Sequence, residues 1–128
     1  MKYRKISVNG IQIFYRETGS KDKPTMVLFH GFPSASHMFR DLMPMLEDSF
    51  HLIAPDYPGF GQSESPSRDE YSYTFDHLAR TMDPSFVWAG AEAFRKDVPD
   101  ARVVPVASGH FALENCCAEI AKEIIGFF

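Results

Sequence analysis

The chain has 128 residues, 45% apolar and 14% aromatic, with a formal charge of -4. That length gives room for one core, and the composition excludes a disordered polymer. The acidic balance excludes a basic nucleic-acid face. No apolar run approaches the roughly 20 residues of a membrane helix, and Met1-Lys2-Tyr3-Arg4-Lys5 leads into an alternating pattern instead of a signal-peptide core. A single soluble, cytoplasmic domain over residues 1–128 is expected.

Two alternating segments, Ile6 to Val8 and Ile11 to Tyr15, flank Asn9-Gly10, the strongest short signal for a β-hairpin. Glu17 to Pro24 is rich in Gly, Ser, Lys and Asp and reads as a solvated turn. The apolar run Met26-Val27-Leu28-Phe29 reads as a strand buried on both faces. It stops at His30-Gly31-Phe32-Pro33, where glycine permits a sharp turn and proline ends the strand. Met38, Phe39, Leu42, Met45 and Leu46 stand at the spacing of one amphipathic helix. His51 to Ala54 is a second strand, closed by Pro55-Asp56 and the loop Pro58-Gly59-Phe60-Gly61. Strand, helix, strand at this spacing predicts a parallel crossover, with both loops leaving the carboxyl ends of their strands, where such sheets bind ligands.

Glu64 to Ser72 is polar and interrupted by Ser65-Pro66-Ser67, as expected of a surface loop. Thr74 can cap a helix whose face is Phe75, Leu78 and Ala79, and Pro84 forces a break near Met82 and Asp83. Trp88 to Val98 reads as a helix and Arg102 to Val106 as a strand, with Pro105 favouring an edge position. After Ser108-Gly109-His110, Glu114 or Asn115 could cap a last helix with the stripe Ile120, Ile124, Phe127 and Phe128. Cys116 and Cys117 are adjacent, so a mutual disulfide would be strained; they read as small, half-buried residues of that helix. His30, His37, His51, His77 and His110 show no metal-ligand spacing, so no metal is assigned.

H-G-F-P after one strand, P-D-Y-P-G-F-G-Q-S after the next, then Y-S-Y-T-F-D-H-L-A, D-P-S-F and S-G-H-F-A-L-E together resemble the α/β-hydrolase fold, on its haloalkane dehalogenase and epoxide hydrolase branch. The resemblance implies a shortened α/β fold: a mostly parallel sheet with an N-terminal antiparallel hairpin and helices on its faces. Residues 1–82 resemble the first part of such an enzyme and 83–128 the last part, without the central segment that bears the nucleophile. By the same resemblance the substrate is a small apolar halide, epoxide or ester, water is the second reactant, and no cofactor takes part. The Phe32 amide, in the His30-Gly31-Phe32 turn, is an oxyanion or halide donor. His110 is the base, and Asp83 is the carboxylate that orients it, unless Asp83 belongs to the other side of the apparent join or only caps the helix break.

For the nucleophile no residue is found: there is no G-x-S-x-G. Gly61-Gln62-Ser63-Glu64-Ser65 is the nearest string, but it lacks both a closing glycine and a strand directly before it. Asp56 reads as an organiser of its loop through side-chain to backbone bonds. Without the central segment the Met26 to Phe29 strand would present an unpaired edge. Either Arg102 to Val106 fills the place, or strands pair between chains, which makes self-association a second reading of function.

Overall fold

Asn9 and Gly10 both take the left-handed conformation, with φ of 51° and 85°. Positive φ at both central residues matches the twist of antiparallel strands. The turn therefore joins β1 (Lys2–Val8) to β2 (Ile11–Thr18) in a register running from Lys2 opposite Glu17 to Val8 opposite Ile11. This computed structural model describes residues 1–74, 77–78 and 112–128. The chain divides into two compact units, Met1–Pro66 with Val106–Phe128, and Ser67–Pro105.

In the first unit the hairpin continues into a four-stranded sheet ordered β1-β2-β4-β3, where β3 is Thr25–Val27 and β4 is His51–Pro55. β2 and β4 are antiparallel, while β3 and β4 are parallel, as the crossover spacing requires. The described sheet is thus mixed. β3 ends the strand order, and Val27 is 46% exposed, so this strand is not the doubly buried one its apolar sequence suggested. An edge strand needs a cover on each face before alternate residues can all be buried, and apolarity alone cannot supply it.

The expected single helix is two pieces, a 3-10 turn at Ser36–Phe39 and α1 at Leu42–Leu46. Pro44 is the reason. It has no amide to give the Arg40 carbonyl, and its ring would crowd that carbonyl, so no helix can run from Met38 through to Leu46. Starting at Leu42 puts Pro44 in the first turn, where amides have no partner within the helix.

One face of the sheet carries the core. Leu52 and Ala54 of β4 meet Phe39, Leu42, Met43, Leu46 and Phe50 from the crossover. Ala121, Ile120, Ile124 and Cys117 close it from α3 (Cys117–Ile125), which follows the short α2 (Ala112–Asn115). The C-terminal helix is thus built into the same core as the N-terminal sheet. Neither Glu114 nor Asn115 caps it; Cys116 holds the cap position without a side-chain bond. The apolar stripe also stops short of the last residues: Phe128 is 78% exposed and meets the rings of Phe50 and Phe127 in T-shaped contacts. Cys116 and Cys117 are free and half-buried, and burial pushes the Cys117 thiol up from its ordinary pKa.

A second correction concerns Glu17 and Thr18, which end β2 instead of opening a solvated turn. Both are buried. Thr18 donates its hydroxyl hydrogen bond to Glu47. Glu17 accepts from His51 Nε2 at 2.9 Å and stands 2.6 Å from Arg4 Nε. A buried carboxylate needs such partners, because its desolvation otherwise costs several kcal/mol.

In the second unit Thr74 caps as expected, its hydroxyl accepting the His77 amide at 3.2 Å. No helix among the described residues is long and apolar enough to cross a membrane.

Leu46 is fully buried and Met45, beside it, is 48% exposed. Urea unfolding should show Leu46→Ala losing about 2–5 kcal/mol and Met45→Ala less than about 0.5 kcal/mol. Equal losses would place the core on the wrong face of α1.

Candidate functional site

Two loops leave the carboxyl ends of the parallel pair: His30 to Pro33 after β3, and Asp56 to Gly61 after β4. What joins them is a buried carboxylate and a buried imidazole.

Asp56 is almost wholly buried. Its Oδ1 accepts the Ser36 amide at 2.7 Å and its Oδ2 the Gln62 amide at 2.8 Å, so one side chain ties the start of the crossover to its own loop. Gly61 makes the close approach possible. Its φ is 53°, and a Cβ there would run into the Asp56 carboxylate. Ser36 passes the connection on, its hydroxyl accepting from Arg16 Nε at 3.1 Å. The Arg16 guanidinium lies 5.1 Å from the Tyr3 ring and 5.5 Å from that of Phe14, stacking that offsets its burial.

His30 is also buried. Its Nε2 accepts the Tyr57 amide at 3.0 Å, which leaves no room for a proton on that nitrogen. Nδ1, 3.0 Å from the Gly31 carbonyl, must then be the donor. The ring is thereby held neutral in one tautomer. Burial lowers its pKa below the ordinary 6.5, opposed by the Gly31 bond and by the charge of Asp56. With both nitrogens committed, His30 is a strut between the loops and not a proton carrier.

The turn it supports closes with the Ser34 amide on the Gly31 carbonyl at 3.0 Å, across a cis Phe32-Pro33 peptide. Gly31 was expected to permit a sharp turn. Its φ is not positive, and a Cβ there would meet nothing within 4 Å among the described residues. The glycine leaves open space where its side chain would stand instead.

Aromatic rings line this end. Phe29 stacks on Tyr57 at 6.1 Å, His30 meets Tyr57 edge-on at 4.7 Å, and Phe32 meets Phe60 edge-on at 6.1 Å. Backbone amides framed by rings can hold an anion or a developing negative charge beside an apolar group.

Ser63 has another occupation. Its hydroxyl donates to the Asp56 carbonyl at 2.7 Å and accepts the Phe14 amide at 2.8 Å, pinning the loop to β2. His110 and Asp83 lie outside the described residues. Sequence reading found Asp56 and the turn but missed Ser36 and Arg16, which lie twenty residues from their partners and carry no local motif.

The alpha/beta hydrolase fold family matches residues 24–83. An uncharacterized hydrolase of Saccharomyces cerevisiae is 46% identical over 82 residues, 63% of this chain and 28% of its own length. A haloalkane dehalogenase of Bradyrhizobium diazoefficiens is 39% identical over 83 residues, 65% of this chain and 26% of its own. Among solved structures, a loop variant of the Bradyrhizobium elkanii haloalkane dehalogenase superposes with a TM-score of 0.59 at 32% identity, covering 76% of this chain and 28% of that one. Epoxide hydrolases are also among the relatives. The chain therefore spans less than a third of the length of these relatives.

The His30 strut predicts a pH dependence of folding. A histidine with a depressed folded pKa binds fewer protons than the unfolded chain, so stability is full above about 6.5 and falls as pH drops through the window below it. Glu17, held low chiefly by the His51 hydrogen bond, loses its contribution only below its ordinary 4.5. Denaturant midpoints between pH 6.5 and 5 should fall in the native chain and fall less in His30→Gln, whose amide oxygen can still accept from Tyr57. Parallel slopes would refute the neutral strut.

Proposed function

Because this chain belongs to the α/β-hydrolase fold superfamily, on its haloalkane dehalogenase and epoxide hydrolase branch, we propose that its loops are those of a hydrolase of small apolar organic substrates. In this reading the amides of Gly31 and Phe32, with His30 behind them, face the leaving halide or developing oxyanion. His110 is the base that activates water, and Asp83 orients it. The observation that carries the reading is the locked pair of loops, with Asp56 and His30 bonding across from the end of β3 to the end of β4. The rings of Phe29, Phe32, Tyr57 and Phe60 supply the apolar surroundings that a haloalkane or epoxide requires.

The same reading assigns the 128-residue chain little turnover. No G-x-S-x-G occurs, and Ser63 is held at both ends of its hydroxyl by backbone. Loss of a triad nucleophile leaves at most a residual of roughly a thousandfold over water. The packing of α3 into the N-terminal core supports reading that helix as the closing part of the first unit. Two free cysteines fit a reducing, cytoplasmic setting.

Styrene oxide and 1-bromobutane should be hydrolysed no more than about a thousandfold faster than in buffer, and His110→Ala should leave that remainder nearly unchanged, because it comes from the amide donors and binding. A kcat of about 1 per second or more would show that a nucleophile is present after all.

The exposed edge favours a second reading, a domain that associates through β3. Val27 is 46% exposed on the strand that ends the described sheet order. Exposed apolar edges invite strand addition, and a lysine there discourages it. Light scattering should then show size rising with concentration, and Val27→Lys should abolish the rise. A constant monomer size would dismiss this reading.

A further inference from the structure

On the sheet face opposite the helices, polar side chains form a row across all four strands. Thr25 of β3 lies opposite His51 of β4 in the parallel register. Its Oγ1 is 3.1 Å from His51 Nδ1. His51 Nε2 is 2.9 Å from Glu17 Oε1 on β2, and Glu17 Oε2 is 2.6 Å from Arg4 Nε on β1. Lys21 Nζ stands 3.7 Å from Glu17 Oε1.

The proton positions follow from the partners. An ionised carboxylate only accepts, and the His51 hydrogen bond, with the charges of Arg4 and Lys21, holds Glu17 ionised against its desolvation. His51 Nε2 must then carry a proton. In neutral His51 the lone pair is therefore on Nδ1, and the hydroxyl that faces it belongs to Thr25. Hydroxyl, imidazole lone pair, and carboxylate behind the imidazole are the three parts of an activated oxygen nucleophile. Glu17 and His51 are buried, while Thr25 is exposed. The proton-accepting pair is thus shielded and the nucleophile is reachable.

We propose that Thr25, His51 and Glu17 form an acyl-accepting site, separate from the His30 to Pro33 turn, for small activated acyl esters. Thr25 Oγ adds to the ester carbonyl carbon as its proton passes to His51 Nδ1. Collapse breaks the bond to the alcohol oxygen, which departs with the proton from His51. The products are Thr25 ester and free alcohol, and no oxidant or cofactor enters. Glu17 keeps the ring in the productive tautomer and stabilises the imidazolium between steps. The assignment does not rest on the hydrolase reading, since it uses none of the residues of that site.

The full chain is incubated with p-nitrophenyl acetate near neutral pH, and the acetyl group is located by peptide mass spectrometry. Thr25 should be acetylated about 100-fold faster than in His51→Gln, and Thr25→Ser should retain the label. Should His51→Gln fail to fold, the native chain holds its own comparison. Ser20 is an exposed hydroxyl hydrogen-bonded to Asp22 at 3.1 Å with no imidazole in the pair. Thr25 should outpace it by about tenfold or more. Acetylation confined to amines, equal labelling of Thr25 and Ser20, or equal rates with and without His51 would overturn the assignment.

Discussion

The buried carboxylate of Asp56 is the constraint on which the rest of the first unit depends. A charged group taken from water must be met by fixed donors, and here the donors are backbone amides of Ser36 and Gln62, from two different segments. Satisfying one side chain thus fixes where the crossover begins and how the loop after β4 folds. Gly61 has no Cβ because that carboxylate occupies the place. Ser63 and Arg16 extend the connection to β2, so the loop is tied to the sheet interior as well as to its own strand.

His30 works on the same logic with opposite charge. Its burial is affordable only for the neutral ring, and the Tyr57 amide on Nε2 selects the tautomer. A protonated ring would set a donor against a donor. The loop geometry is therefore bound to a proton-poor histidine, and chemistry at this end of the sheet has to come from other groups.

The two faces of the sheet serve different purposes because strands alternate. Leu52 and Ala54 point into the helical core, while His51 and Ile53 point away. One residue of slip would exchange them, placing an imidazole among Leu42, Met43 and Leu46. The apolar core holds the register, and the register in turn brings Thr25, His51 and Glu17 into line. A polar row of this kind is a consequence of packing on the other side.

Much was legible in the order of residues. Asn9-Gly10 dictated a hairpin through φ values that few residues tolerate, and the spacing of two apolar runs dictated a parallel crossover. Pro44 overrides the helical spacing around it, because the covalent loss of one amide decides the matter locally. The folded chain alone settled which side chains answer one another across distance. Glu17 read as a solvated charge because its partner His51 is 34 residues away, and Ser36 had no motif because Arg16 and Asp56 are each 20 away on opposite sides. Local sequence specifies backbone angles and turn positions; partnership between buried polar groups exists only once strand register has put them within hydrogen-bond reach.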